Sequence, residues 1–435
     1  MPRLTYPQII RELESRTVMP DRPPSLQTTQ EALKRVLSTP SFRPERTLVV
    51  AGTNGKGSIC ATLEALLLSA NQRVGLYTSP HLIDTRERIR IQGQDVSIDL
   101  FCKAYHQVQG QTEDLGLSHF EMLTVMAAWI FFSSDAAQHL DWFIFEVGLG
   151  GLWDSTNAIP HQFCGIASLG FDHQNLLGNT LTEIALNKFG IIHSGAQVIY
   201  TPFPEEVKPL ARKIQAQTQS HWIPSVPYEY EFVSEGLTAR FFLTTRWGRA
   251  EITLPGPRGA QNTATALTLF HALGFAPEDH LPALQTVRWS CRMEKFSLRS
   301  HPSLNLYLSG DHNPQGIESL VALLEAYPYQ NLYILAGFAK DKDSSTMLQL
   351  LSRIPRSSLY LTQTPVRSAD LHLPSPISSL LQGVFQSSTG GLQYILTQAQ
   401  PQDLILITGS LYLAGYLKKY LQDLNIRWEE TQNLT

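Results

Sequence analysis

The segment Ala51-Gly52-Thr53-Asn54-Gly55-Lys56-Gly57-Ser58 lies between the apolar run Leu48-Val49-Val50 and the helix-like stretch Ile59 to Ala70. Strand, glycine turn and helix in immediate succession favour an α/β fold, and they form a cradle for an anion. Glycines let successive N–H groups and the helix N-terminus face a phosphate, Lys56 adds a point charge and Ser58 adds a hydroxyl. The common phosphate loop is spelled G-x-x-x-x-G-K-[ST]. Here Val50 holds the place of the first glycine, and Gly57 intervenes between Lys56 and Ser58. Nucleotide binding is therefore better supported than GTPase or kinase chemistry, with an ordinary glycine turn as the bland alternative.

A chain of 435 residues is too long for one ordinary core and suits two large domains or three small ones. Its 43% hydrophobic and 17% charged residues fit a soluble globular protein, and no apolar run reaches the roughly 18 residues a membrane span needs. The opening Met1-Pro2-Arg3-Leu4-Thr5-Tyr6 has no signal-peptide core, so a cytoplasmic location is expected. Cys60, Cys102, Cys164 and Cys291 have neither zinc nor C-x-x-C spacing and read as buried or free thiols. A net charge of −4 argues against a nucleic-acid surface, so anionic ligands must be met by local positive charge.

Short apolar runs alternate with amphipathic segments, the pattern of a mainly parallel sheet covered by helices. Strands are expected at Thr47 to Ala51, Val74 to Thr78, Trp142 to Val147, Gly165 to Leu169 and Val198 to Tyr200, with their C-terminal ends on one ligand-binding edge. Tyr228 to Leu254 reads as antiparallel strands along one side of that sheet, and Ala260 to Leu273 as a helix. A second βα series runs through Leu304 to Leu308, Leu332 to Ala336, Ser358 to Thr362 and Leu404 to Thr408, and ends in a helix over Leu411 to Leu424. Thr286 to Pro302, poor in pattern, is the candidate hinge, and Trp428 to Thr435 reads as a frayed tail.

Polar clusters follow the early strands. They are Thr78-Ser79-Pro80-His81 with Arg86 to Arg90, then Glu146 to Gly151 with Asp154 to Asn157, then Asp172-His173 with Gly178 to Thr180 and Lys188. Singly, Glu146 could cap a helix, His173 could be a satisfied loop histidine and Lys188 a solvated lysine. Together, beside a phosphate cradle, they supply oxygens and nitrogens compatible with Mg²⁺ and nucleotide phosphates.

The ordered series GTNGKGS, YTSPHL, ERIRI, FE, EVGLGG, DSTN, DH, LG, K, HNP, KDKD and TGSLYLAG, from about Thr47 to Gly415, resembles the folylpolyglutamate synthase and dihydrofolate synthase family. That family is the folate branch of the ATP-dependent Mur-type amide ligases. The resemblance implies a P-loop-containing, mainly parallel domain over residues 1–290 holding ATP and the acid substrate. It implies a smaller Rossmann-like α/β glutamate ligase domain over 291–435. Gly55, Lys56, Gly57 and Ser58 would hold the ATP phosphates, Asn262 would lie near adenine, and Arg292 would reach ATP from the hinge. Ser79, Glu146 and His173 would ligate Mg²⁺, with a monovalent cation as an option, and Lys188 would be carboxylated by CO₂. Ser118, His119, Phe120, Glu121, Trp153, Asp154 and Ser155 would line the pteridine pocket. His312-Asn313-Pro314 and Lys340-Asp341-Lys342-Asp343 would face the nucleotide and the incoming glutamate, with Ser309 and Asp311 at the nucleotide contact.

The implied activity joins L-glutamate to dihydropteroate, folates, or both, in a monomer whose partners are small molecules, with no nucleic acid and no membrane. The chain departs from the family pattern at Leu152 and Trp153, where an arginine and a leucine are usual, and at Ser309, where an aspartate is usual. It also differs at Ser290-Cys291 before Arg292 and at Phe189 after Lys188. Trp153 either offers a flat face to the pterin or packs under the glycine turn. A ligase for a non-folate acid, a degenerate nucleotide-binding protein and a phosphotransferase are the rival readings.

Overall fold

The computed structural model of the protein describes residues 3–17, 24–37, 42–133, 140–235, 238–366, 368–371 and 375–432. The chain forms two compact units. One comprises Met1–Tyr228, Thr244–Ala250 and Gln261–Val287; the other comprises Glu229–Leu243, Glu251–Ala260 and Arg288–Thr435. Among the described residues no helix is long and apolar enough to cross a membrane.

The first unit is built on an eight-stranded sheet of β1 (Thr47–Ala51), β2 (Val74–Tyr77), β3 (Ile89–Ile91), β4 (Gln94–Asp95), β5 (Trp142–Glu146), β6 (Phe163–Ile166), β7 (Gln197–Tyr200) and β8 (His221–Pro224). Its order is β4-β3-β2-β5-β1-β6-β7-β8. The pairs from β2 through β8 are parallel, and the β2-β3 and β3-β4 pairs are antiparallel. Every residue of β1, β2, β5 and β6 is buried, as expected of strands covered by helices on both faces. One covering helix, His119–Phe132, is apolar nearly all round, with only its first two residues less than buried. Its entry is fixed by a capping box in which Ser118 and Glu121 bond each other's backbone N–H groups.

The segment expected to flank that sheet instead forms its own three-stranded sheet, in the order β11-β10-β9, from β9 (Tyr228–Glu235), β10 (Thr238–Thr245) and β11 (Gly248–Ile252). The helix that follows spans Gly256–Ala272, longer at its start than the sequence pattern indicates.

The second unit carries a six-stranded sheet of β12 (Arg292–Phe296), β13 (Asn305–Ser309), β14 (Leu332–Ala336), β15 (Ser357–Thr362), β16 (Gly383–Phe385) and β17 (Leu404–Thr408). The order is β12-β13-β17-β14-β15-β16, parallel except for the antiparallel edge strand β12. Part of the candidate hinge is therefore an edge strand, broken by a bulge between Arg292 and Glu294. The last helix runs Leu411–Gln432, so the segment from Trp428 to Gln432 is helical rather than frayed, and 433–435 lie outside the described residues.

Candidate active site

In the first unit the order β2-β5-β1-β6 sets four parallel strands side by side, and each delivers a polar segment from its C-terminal end. β1 delivers the glycine turn. Gly52 (φ 148°) lies so close to β6 that a Cβ there would sit 2.6 Å from Ala167 Cβ. Gly55 is left-handed at φ 93°, and a Cβ would overlap Asn262 Oδ1. The turn is sewn to the chain leaving β6 by Thr53 N to Ser168 O (2.7 Å), Thr53 Oγ1 to Gly170 O (2.9 Å) and Ser168 Oγ to Asn54 O (3.1 Å). The helix Lys56–Ser69 then starts at Gly55 with no side-chain cap, which leaves its first-turn N–H groups suited to an anion.

Lys56 Nζ donates to Gly52 O at 3.2 Å and to Thr53 O at 3.4 Å. Lys188 Nζ reaches the same Gly52 carbonyl at 3.0 Å from the helix Leu181–Phe189. Lys188 is 4% exposed. Burial, reinforced by the Lys56 charge, pushes its ammonium from 10.5 down to about 7.

Ser79 follows β2 and Glu146 ends the adjacent β5, where the register Tyr77↔Phe145 brings them together. The Ser79 N–H donates to Glu146 Oε2 at 3.0 Å. His173, beyond β6, is left-handed at φ 50° and keeps Nε2 3.8 Å from Asp172 Oδ1. Close by in sequence, Arg88 Nε donates to His81 Nδ1 at 2.9 Å, and burial and the Arg88 charge push that imidazole down to about 3. An arginine can only donate, so His81 is neutral with its proton on Nε2. The sequence places His81 in the Thr78-Ser79-Pro80-His81 cluster but assigns it no role.

Residues expected to line the acid pocket divide into two kinds. Ser118 and Glu121 bond each other, Oγ to Oε2 at 2.7 Å, as the helix cap. Asp154 accepts the N–H groups of Gly148 (3.0 Å), Leu149 (2.9 Å) and Thr156 (3.0 Å), and burial still raises its carboxyl. Ser155 Oγ pairs with Thr124 Oγ1 at 2.6 Å. These four polar side chains are spent on internal hydrogen bonds. The remaining three offer surface. Phe120 packs where a Gly148 Cβ would be, its ring 5.8 Å from that of Tyr77. His119 is half-buried on Leu13 O at 2.8 Å, and Trp153 is 52% exposed, so it does not pack under the turn. Leu152 is pressed against Gly190, and Asn157 Nδ2 donates to both Leu152 O (3.1 Å) and Gly190 O (3.0 Å). The turn at Leu152 is thus tied directly to the end of the Lys188 helix.

In the second unit the adjacent strands β13, β17 and β14 likewise present their C-terminal ends together. Ser309 Oγ donates to Asp311 Oδ2 at 2.6 Å, and Arg292 Nη1 lies 3.7 Å from Asp311 Oδ1. His312 Nδ1 contacts Gly310 O at 2.9 Å, and Asn313 caps the helix Pro314–Leu324 through Gly316 N at 2.8 Å. Lys340 to Asp343 follow β14, and Asp343 caps the helix Ser344–Ser352. Sequence reasoning did not single out Gly409-Ser410 as site residues. Gly409 N donates to Asp311 O at 3.0 Å and Ser410 Oγ accepts from Tyr412 N at 3.1 Å, beside a buried Thr408 Oγ1 that has no partner among the described residues. The T-G-S spelling directly after a strand was the available signal.

A phosphate-turn domain of parallel strands and a second parallel-sheet unit define a Mur-ligase-type fold, and residues 291–411 match the family model for the Mur ligase, glutamate ligase domain. The chain is 31% identical to folylpolyglutamate synthase of Lacticaseibacillus casei over 399 residues, covering 86% of this chain and 90% of that protein. It is 29% identical to the dihydrofolate synthase/folylpolyglutamate synthase of Bacillus subtilis (strain 168), covering 87% and 90%. Escherichia coli FolC in complex with DHPP and ADP superposes with a TM-score of 0.81 at 25% identity, over 97% of this chain and 98% of that one. A bifunctional folylpolyglutamate synthase/dihydrofolate synthase with Mn, AMPPNP and L-glutamate bound gives 0.79 at 26% identity, covering 96% and 98%. The chain belongs to the folylpolyglutamate synthase/dihydrofolate synthase family.

Proposed function

We propose that this chain is an ATP- and Mg²⁺-dependent ligase that forms an amide between L-glutamate and the carboxylate of dihydropteroate, of folates, or of both, releasing ADP and phosphate. A carboxylate is a poor electrophile, so the acid first takes the γ-phosphoryl group as an acyl phosphate. The glutamate amine then attacks the acyl carbon, phosphate leaves and the amine proton goes to solvent. No side-chain nucleophile is needed. The observation that carries the reading is the convergence, on adjacent parallel strand ends, of an uncapped helix N-terminus with Lys56, the Ser79–Glu146 pair and the buried Lys188.

In this reading residues 1–290 bind nucleotide and acid, and 291–435 form the glutamate ligase domain. Gly55 to Ser58 wrap the phosphates through backbone N–H groups, and Lys56 neutralises charge on the transferring phosphoryl group; Arg292 is read as the arginine that reaches ATP. Ser79, Glu146 and His173 offer two oxygens and an imidazole nitrogen, a donor set that suits a hard divalent cation. Among the described residues no group of three His, Cys, Asp or Glu offers a rival site. Mg²⁺ held there supplies further charge neutralisation.

Lys188 is carboxylated in the active enzyme. An amine pushed down to about 7 is substantially neutral near pH 7, so its lone pair can attack CO₂; the N–C bond forms and the displaced proton passes to solvent. The product is an anion where an ammonium would repel a metal ion. Trp153, exposed in the turn after the Glu146 strand, is read as the stacking face for the pterin.

The test is release of ADP and phosphate from ATP with radiolabelled glutamate and a panel of acids. Turnover that requires both glutamate and a pterin acid is expected. Turnover with a non-pterin acid alone, or none with any acid, would refute the assignment.

A further inference from the structure

Within the stretch Thr286 to Pro302, residues 290 to 294 of the second unit form a heavily tied irregularity. Along the β12-β13 pair, Arg292 lies opposite Ser309 and Glu294 opposite Leu308, so Met293 is the extra residue of a bulge. Cys291 and Met293 have φ of 56° and 49°, a left-handed conformation that residues with side chains adopt only at a cost. Such a shape persists only where its surroundings impose it.

The imposing group comes from the last helix, Leu411–Gln432. Lys418 Nζ donates to Ser290 Oγ at 2.9 Å and to both Glu294 carboxylate oxygens, at 2.7 and 3.0 Å. Glu294 Oε2 also accepts the Cys291 N–H at 3.0 Å, and the Cys291 carbonyl accepts from Gly310 N at 2.7 Å. The Lys418 side chain is only 13% exposed, which makes this a shielded ion pair with four fixed contacts rather than a loose surface bridge. Side chains two apart on a regular strand share a face. The bulge separates them, so that Glu294 meets Lys418 while Arg292 faces Asp311.

Arg292 itself is held loosely. Its Nε is buried without a hydrogen-bond partner among the described residues, and at 3.7 Å its approach to Asp311 is an ion pair outside hydrogen-bond distance. The aim of the guanidinium is therefore set by the backbone it hangs from.

We propose that Lys418 is a positioning residue for the ligase reaction: with Glu294 and Ser290 it clamps the bulge in the conformation that presents Arg292 to the nucleotide. This rests on the reading of Arg292 as the arginine that reaches ATP. Lys418 touches neither reactant and acts only through Arg292.

The experiment compares full-length wild type, Lys418→Met, Lys418→Arg, Glu294→Gln, Arg292→Ala and the Lys418→Met/Arg292→Ala double variant by steady-state kinetics and thermal melting. Arg292→Ala should lower kcat/KM for ATP about tenfold or more, and Lys418→Met about three- to tenfold, with KM for the pterin acid unchanged. The double variant should be no worse than Arg292→Ala, and Lys418→Arg should recover most of the loss. Glu294→Gln should reproduce the Lys418→Met kinetics, and it carries the comparison if Lys418→Met does not fold. Losses that multiply in the double variant, or a KM that rises for every substrate alike, would overturn the proposal. Wild-type kinetics for Lys418→Met and Glu294→Gln alongside an impaired Arg292→Ala would overturn the positioning role alone. A wild-type Arg292→Ala would remove both this role and the reading of Arg292.

Discussion

Replacing Lys188 with methionine should make the protein more stable near neutral pH while abolishing ligation. The native amine titrates at about 7 against 10.5 when unfolded, so the unfolded chain holds more protons between those values. Stability therefore rises with pH through that window, and below pH 7 the full penalty remains. At about 1.4 kcal/mol per pKa unit the penalty is about 5 kcal/mol at most. Against it stands the lost hydrogen bond to Gly52 O, about 1.5–3 kcal/mol for a charged donor. That carbonyl is not orphaned, because Lys56 Nζ also reaches it. A net gain of about 2 kcal/mol is expected at pH 6, and the gap should narrow by about 2–3 kcal/mol by pH 9 as the wild type recovers. Urea denaturation of both proteins in CO₂-free buffer at the two pH values measures it. A gap that does not change with pH would refute the argument, because a lysine with an ordinary titration has no such dependence.

Lys56→Ala should abolish turnover with folding intact, and wild-type-like activity in the purified variant would reject the cradle. Gly55→Ala forces a Cβ into Asn262 and a left-handed conformation on alanine, so ATP binding should be lost together with about 2 kcal/mol of stability, read by calorimetry and denaturation. Glu146→Gln should raise the Mg²⁺ concentration needed for half-maximal activity about tenfold or more, and His173→Ala less; an unmoved Mg²⁺ titration in both would remove them from the metal site. Trp153→Ala should raise KM for the pterin acid more than KM for ATP or glutamate and leave Tm within about 2 °C, since an exposed ring contributes little to packing. A large fall in Tm with unchanged KM would reverse that assignment.

The parallel strands were legible because their burial on both faces leaves near-continuous apolar runs, as in Leu48-Val49-Val50 and Phe143-Ile144-Phe145. The antiparallel strand Ile89–Ile91 was hidden inside Glu87-Arg88-Ile89-Arg90-Ile91, where charge drew attention to chemistry instead of alternation. β12 escaped because its bulge breaks the two-residue period that marks a strand. At the site, the glycine turn could be read from its residues, since Gly52 and Gly55 each answer a steric demand. Pocket residues could not be sorted that way. Ser-x-x-Glu at Ser118 and Glu121 is also the spelling of a helix cap, and only the packing shows those oxygens already spent on the backbone.

The division of the chain into units carries a further consequence, for synthesis and dissection. Glu229–Leu243 and Glu251–Ala260 cluster with a unit whose remaining residues begin at Arg288. On the ribosome these two segments emerge before most of their partners exist, so the first unit can close its sheet while they wait. A cut at any single point before residue 288 and after Tyr228 leaves one fragment holding pieces that belong to the other. A cut between Phe241 and Tyr327 would expose Phe241, which is stacked on Tyr230 and packed near Tyr327 in the intact chain. An excised glutamate ligase domain would therefore need those two segments grafted back.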